Sequence, residues 1–305
     1  SVPTCGVPAA GHCGGTGASQ GAEPREALSV ATEGVLGEIV MTIERTIAFI
    51  DILGFKEKVN KMPLEEAASK YKRLKDYILL SAYQSSGSIA LTLFPNHDTS
   101  LLLCAVKSLS DTFVLISPDD SEESCLKVLI SAWRAMRKMI SFGWHPRAAV
   151  TFGETYYNPE EDILLGRAIN QAATLEKQQK WIGGIIDVTL EQRFPDLFRV
   201  IESPNYLLRD IFYRYNVPMK NGSSMNSLTI NWRWNMVIKS GTRSILPSGD
   251  RIDVREKTDN TIYYLVDFIS KGRTYYTGDQ NKLHYELRTL WVGDTEPPFP
   301  HGDDL

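Results

Sequence analysis

The pattern of apolar and polar positions is organised around Thr46-Ile47-Ala48-Phe49-Ile50-Asp51-Ile52-Leu53-Gly54-Phe55, where seven apolar residues enclose one carboxylate. A run this apolar and rich in β-formers predicts a buried central strand that delivers Asp51 near its end. Gly54 allows a tight turn there, so the amides that follow can face an anion. Residues 63–84 repeat apolar side chains at Leu64, Ala68, Tyr71, Leu74, Ile78 and Leu79, a helical stripe with charge on its other side. Residues 88–94, 100–106 and 112–117 are strand-like, with Pro95-Asn96-His97-Asp98 as a turn between the first two. A second long helix starts near Pro118 to Ser121, buries Cys125, Leu126, Leu129, Ile130, Trp133, Met136, Met139 and Ile140, and ends at Gly143. Residues 147–157 then alternate as a strand, 162–165 pair with it, 167–181 form a helix after Gly166, and 184–188 make a further strand. This order predicts an α+β fold, a ferredoxin-like arrangement with a mixed sheet and helices on one face.

Composition narrows the class. At 305 residues, 43% of them hydrophobic and 23% charged, the chain can bury a sizeable core. A net charge of −4 and a pI near 5.8 give no electrostatic basis for a nucleic-acid partner or an anionic membrane. No apolar run approaches the roughly 20 residues of a membrane span, and no secretory signal pattern opens the chain, which predicts a cytoplasmic protein. Residues 1–40 hold eight of the 22 glycines and no aromatic residue, so they read as a disordered leader or upstream extension. Residues 41–199 read as the functional unit. Residues 200–305 change to Tyr- and Trp-rich alternation, as in Leu228-Thr229-Ile230-Asn231-Trp232-Arg233-Trp234, with a helix near 260–270, and read as a C-terminal accessory region. Cys5, Cys13, Cys104 and Cys125 have neither a disulfide framework nor a zinc spacing.

The candidate chemistry begins with Asp51, because a lone buried acid is costly without a cation. The second acid is Asp111, in Lys107-Ser108-Leu109-Ser110-Asp111, at a hairpin between apolar strands. A hairpin beside a central strand puts its tip near that strand's end. Two acids so placed suit Mg²⁺ or Mn²⁺, which take oxygen ligands and keep positions open for water and phosphate. Taken singly, Asp51 is equally a helix-capping residue and Asp111 a turn residue.

Three segments together resemble the class III nucleotide cyclases. Phe49-Ile50-Asp51-Ile52-Leu53-Gly54-Phe55 resembles their first metal motif and Lys107-Ser108-Leu109-Ser110-Asp111 their second. Gly166-Arg167-Ala168-Ile169-Asn170-Gln171-Ala172-Ala173-Thr174-Leu175-Glu176 resembles the helix whose Asn contacts the ribose and whose Arg, four residues later, stabilises the transition state. The likeness runs from about 43 to 189 and implies a cyclase domain over 41–199. It further implies two Mg²⁺ or Mn²⁺ ions held at Asp51, Ile52 and Asp111, and triphosphate contacts from the backbone of Ile52, Leu53, Gly54 and Phe55. A homodimer with shared sites is implied too, Asn170 of one chain completing the site of the other.

Two positions depart from the family pattern. Thr174 stands where the transition-state Arg is expected, and Ile163 where a second base-reading residue is expected beside Lys107. A free-standing cyclase domain with altered base readers is similar to the Pycsar anti-phage pyrimidine cyclases, which implies cyclic UMP or cyclic CMP as a second messenger in defence. Lys107 offers only donors and Ile163 no acceptor, so UTP is favoured over CTP and ATP, whose amino groups would be left unpaired; a bulge would instead bring the carboxylate of the adjacent Asp162 into the pocket. The alternatives are a cytidylate or adenylate cyclase, or a degenerate domain that senses a nucleotide without chemistry. A nuclease or polymerase-like palm is disfavoured by the acidic charge balance.

Overall fold

The computed structural model describes residues 43–83, 104–203, 211–232, 246 and 251–270. The leader at 1–40, the strand at 88–94, the start of the one at 100–106, the turn with His97, and Arg233-Trp234 lie outside the described residues. In chain order the elements are β1 (Ile43–Leu53), α1 (Phe55–Asn60), α2 (Leu64–Tyr83), β2 (Ala105–Leu109), β3 (Thr112–Ile116), α3 (Glu122–Ser141) and β4 (His145–Asn158). They continue with β5 (Ile163–Gly166), α4 (Arg167–Gln178), β6 (Gly184–Ile186), α5 (Val188–Arg193), α6 (Pro195–Glu202), β7 (Phe212–Pro218), β8 (Ser224–Ile230) and α7 (Ile252–Ser270).

The Asp51 stretch is the centre of a mixed sheet ordered β2-β3-β1-β4-β6-β8-β7, with β5 paired to β4. β1 lies antiparallel to β3 and β4, and among the described residues the one parallel pairing joins β4 to β6. The fold is therefore α+β with a mixed central sheet. Ile47 and Ala48, which point to opposite faces, are both fully buried, as are Ala148, Ala149, Val150 and Thr151. The middle of the sheet is thus covered on both faces rather than on one, which accounts for strands that read as unbroken apolar runs.

Local signals set the helix ends. Ser121 caps α3 by accepting from the Ser124 amide at 3.2 Å, and Asp119 in turn accepts from the Ser121 amide and hydroxyl. All eight apolar positions expected to face inward on α3 are buried. On α2 Ala67 is buried rather than Ala68, beside Leu74, Ile78 and Ala82. Past residue 199 the sheet runs on, because β8 pairs with β6 and β7 with β8. α7 docks on the same unit, where Asn260 donates to the Lys180 carbonyl at 2.7 Å and Thr261 accepts from the Ile182 amide at 2.9 Å.

Candidate active site

β1 holds Asp51 in register with Thr112 of β3 on one side and Arg147 of β4 on the other. β2 and β3 are joined by the two residues Ser110 and Asp111. Ser110 has φ 56°, a positive value at the first central position as a type II′ hairpin turn requires. The Ile52 amide donates to the Asp111 carbonyl at 3.0 Å, tying this turn to the end of β1. From α2, the Tyr71 hydroxyl donates to the Ser110 carbonyl. Its ring lies 5.6 Å from Phe55 and 5.8 Å from Phe113, and Phe55 is 5.6 Å from Trp144. An aromatic wall thus holds the turn in place beneath two adjacent acids.

Burial first, and Asp111 second, raise the Asp51 carboxyl above its ordinary value, while Arg147 and the Thr112 hydroxyl pull the other way. Thr112 donates to Asp51 at 3.4 Å. Arg147 is only 5% exposed and is already engaged: its Nε donates to Glu176 and its Nη1 to the Gln179 carbonyl at 3.2 Å. Two half-buried carboxylates therefore act on one another electrostatically, and Arg147, which offsets the charge at Asp51, is shared with Glu176. That donor set fits a hard divalent ion. Among the described residues no group of three or more His, Cys, Asp or Glu side chains could hold a metal. Asp51 and Asp111 would fill only part of a coordination shell, which suits Mg²⁺ or Mn²⁺ with substrate phosphates completing it.

The backbone that the sequence offers for a triphosphate has fewer free amides than expected. The Ile52 amide is spent on Asp111, and Leu53 is paired in register with His145. The turn proper starts at Gly54, whose φ of 70° suits a residue without a side chain, and leads into the first turn of α1, where amides lack intrahelical partners.

Lys107 sits on β2 with its side chain 12% exposed and forms an ion pair with Asp162. The Tyr157 ring centroid lies 5.8 Å from its ammonium. Ile163, the expected second reader, instead pairs with Asn158 in the β4–β5 ladder, and the side chain that meets Lys107 is that of Asp162. The cause is the turn: Asn158 accepts from the Glu160 and Glu161 amides, and Asp162 closes the turn at φ 59°, a conformation Asp tolerates.

Asn170 and Thr174 are exposed on α4, where the Thr174 hydroxyl donates to the Asn170 carbonyl at 2.8 Å. With Gln171, Leu175, Gln178 and Asp187 they line a groove of about 320 Å³. Among the described residues no hydrogen bond or ion pair links Asn170 or Thr174 to Asp51, Asp111 or Lys107 of the same chain. Gly166 lets β5 pass into α4, since a Cβ there would sit 2.4 Å from the Glu154 carbonyl. Arg167 lies 3.3 Å from Glu154, on the exposed side. Three groups near Asp51 escape sequence reasoning: Arg147, Glu176 and Lys220, the last held in the β7–β8 turn by its amide donating to the Gln178 carbonyl at 2.8 Å. The available signal was Arg147 itself, a lone charge in an otherwise apolar strand.

No family model and no curated protein matches the chain. Among solved structures it is similar to the guanylyl cyclase domain of the RhoGC fusion protein from the aquatic fungus Blastocladiella emersonii, at 13% identity over 51% of this chain and 86% of that one, TM-score 0.39. It is similar to the adenylyl cyclase CyaB from P. aeruginosa at 12% identity, covering 62% and 93%, TM-score 0.38. The adenylate/guanylate cyclase/hydrolase from Silicibacter pomeroyi gives 15% identity, 62% and 97%, TM-score 0.40. No helix among the described residues is long and apolar enough to cross a membrane.

Proposed function

We propose that the chain is a metal-dependent nucleotidyl cyclase, converting a nucleoside triphosphate to its 3′,5′-cyclic monophosphate and pyrophosphate. The observation that carries this reading is the pairing of Asp51 with Asp111 at adjoining strand ends, joined through the Ile52 amide and the Asp111 carbonyl. In the reaction the 3′-oxygen attacks the α-phosphorus, the bond to the β,γ-diphosphate breaks, and the hydroxyl proton is lost to solvent. Asp51, Asp111 and the backbone at Ile52 would hold two Mg²⁺ or Mn²⁺ ions, which supply charge neutralisation on the phosphates and acidify the attacking hydroxyl. Arg147 and Glu176 fix the electrostatics behind Asp51. The amides from Gly54 into α1 orient the triphosphate. In a homodimer, Asn170 of the partner subunit would contact the ribose, as the sequence resemblance implies.

The Lys107–Asp162 pair changes the base expectation. An acceptor now stands where Ile163 offered none, so the argument that favoured uracil loses its premise. Placed side by side, the Asp162 carboxylate accepts from an exocyclic amine and the Lys107 ammonium donates to the adjacent unprotonated ring nitrogen. Cytosine and adenine present that order. In the same register uracil and guanine would set a carbonyl oxygen against Asp162 and a ring N–H against Lys107. The favoured substrates are therefore CTP and ATP, and the role as a messenger in anti-phage defence comes from the sequence resemblance.

The test is pyrophosphate release and cyclic product with Mn²⁺ or Mg²⁺ present. Asp51→Ala and Asp111→Ala should each abolish both, because one carboxylate cannot hold the metal pair. Full turnover in either variant rejects the site, and nucleotide binding without pyrophosphate release by the wild type identifies a sensor instead.

A further inference from the structure

Gln179 links the site to the last helix of the fold. We propose that it is a positioning residue that aims the Arg147 guanidinium behind Asp51, and that α7 holds it in place, which makes the C-terminal region part of the catalytic unit. The inference rests on the cyclase reading and deepens it. Gln179 leaves α4 with an extended backbone, φ −72° and ψ 147°, and is fully buried. Carbonyls at a helix end lack intrahelical partners, and that of Gln179 accepts from Arg147 Nη1 at 3.2 Å. The side chain is tied to the backbone around it: Nε2 donates to the Ala148 carbonyl at 2.8 Å and the Leu175 carbonyl at 3.2 Å, and Oε1 accepts from Trp181 Nε1 at 2.8 Å. Both amide hydrogens and the oxygen are used, which fixes the orientation of the residue. Glu176 accepts from Arg147 Nε, so two acceptors at one end of α4 set the guanidinium.

The end of α4 is held in turn by α7, which lies beyond the span 43–189 of the sequence resemblance. Three consecutive residues meet it. The Lys180 carbonyl accepts from Asn260 Nδ2 at 2.7 Å, and the Lys180 ammonium lies 2.7 Å from Glu256. The Trp181 ring stands 4.7 Å from that of Tyr264, edge to face. The Ile182 amide donates to Thr261 Oγ1 at 2.9 Å. Glu256, Asn260 and Tyr264 recur every four residues with Thr261 beside them, so one face of α7 makes all four contacts. The β7–β8 turn grips the same segment, where the Lys180 amide donates to the Pro218 carbonyl at 2.9 Å and the Lys220 amide to the Gln178 carbonyl at 2.8 Å. A bonded path thus runs from α7 through residues 180–182 and Gln179 to Arg147, which stands in register with Asp51. The Lys180–Glu256 pair is open to solvent and adds little. Thr261 and Tyr264 are fully buried, and with Asn260 they carry the coupling.

The experiment uses the full chain, Asn260→Ala, and the pair Thr261→Val and Thr261→Ser, of which only the serine keeps the oxygen that Ile182 needs. Cyclic product is measured with CTP and ATP well below the melting temperature of each variant, so that every chain is folded. Asn260→Ala and Thr261→Val should lower kcat roughly tenfold to hundredfold with KM within about twofold of wild type, because a displaced Arg147 alters the reacting geometry and leaves the nucleotide contacts in place. Thr261→Ser should recover most of the rate. A second readout does not depend on turnover: the Nε–H resonance of Arg147 in ¹⁵N-labelled protein, assigned as the one missing from Arg147→Met. It should shift and exchange faster with water in Asn260→Ala and Thr261→Val and return in Thr261→Ser. A wild-type resonance in the first two variants overturns the inference whatever the rate, and so does a wild-type kcat in a chain whose resonance has moved. If the wild type makes no cyclic nucleotide while the resonance responds as expected, the cyclase reading fails and the coupling of α7 to Arg147 stands.

Discussion

Replacing Asp162 with Ala should change which base is accepted while leaving the fold nearly unaffected. Asp162 is 84% exposed, so its ion pair with Lys107 opens to solvent and contributes at most about 1 kcal/mol to stability. Base recognition is a different matter. An exocyclic amine that loses its acceptor on entering the site costs about 1–3 kcal/mol, which at about 1.4 kcal/mol per tenfold corresponds to roughly 5- to 150-fold in kcat/KM. That loss should fall on CTP and ATP and spare UTP. The assay is kcat/KM for each nucleotide, set beside a thermal melt of the same preparation. A uniform loss on all nucleotides with an unchanged Tm would refute the assignment of Asp162 as a base reader. A fall in Tm large enough to account for the activity would refute the claim that this pair is marginal to the fold.

Two further outcomes follow from the acids and the cation behind them. Mn²⁺ at about 100 times its Kd should stabilise the wild type by about 2.7 kcal/mol in a thermal melt and have no such effect on Asp51→Asn or Asp111→Asn; an equal shift in all three would take the metal away from these acids. Arg147→Met should cost about 3–5 kcal/mol, because Glu176, 1% exposed, is left as a buried charge without its partner, and adding Glu176→Leu should restore much of the stability but not the turnover. A stable double variant with full activity, measured by denaturation and product formation together, would exclude Arg147 from the site.

The elements legible in the sequence are those whose signal is local. Seven apolar residues around Asp51 suffice to make β1 the central strand, and the apolar face of α3 follows from its spacing. The two-residue turn at Ser110-Asp111 is marked by the polar pair between apolar strands. What escaped was tertiary or depended on a single dihedral angle. The sequence offers both Ile163 and the neighbouring Asp162 beside Lys107, and it is the left-handed conformation at Asp162 that decides which side chain meets the lysine. Arg147 and Glu176 are 29 residues apart and meet only because β4 and α4 pack together. The Ile52 amide looks free in the sequence, yet the neighbouring hairpin consumes it. α1, α5 and α6 were hidden for a further reason: segments of six to eight residues hold too few turns for a helical period to emerge.

The central claim is tested most directly by offering the purified chain all four nucleoside triphosphates together with Mn²⁺ and identifying the products by mass. A 3′,5′-cyclic monophosphate, with cyclic CMP or cyclic AMP dominant and pyrophosphate released in equal amount, is the predicted result. Dominant cyclic UMP or cyclic GMP would contradict the reading of Lys107 and Asp162, and the absence of any cyclic nucleotide would contradict the account of Asp51 and Asp111 as a cyclase centre.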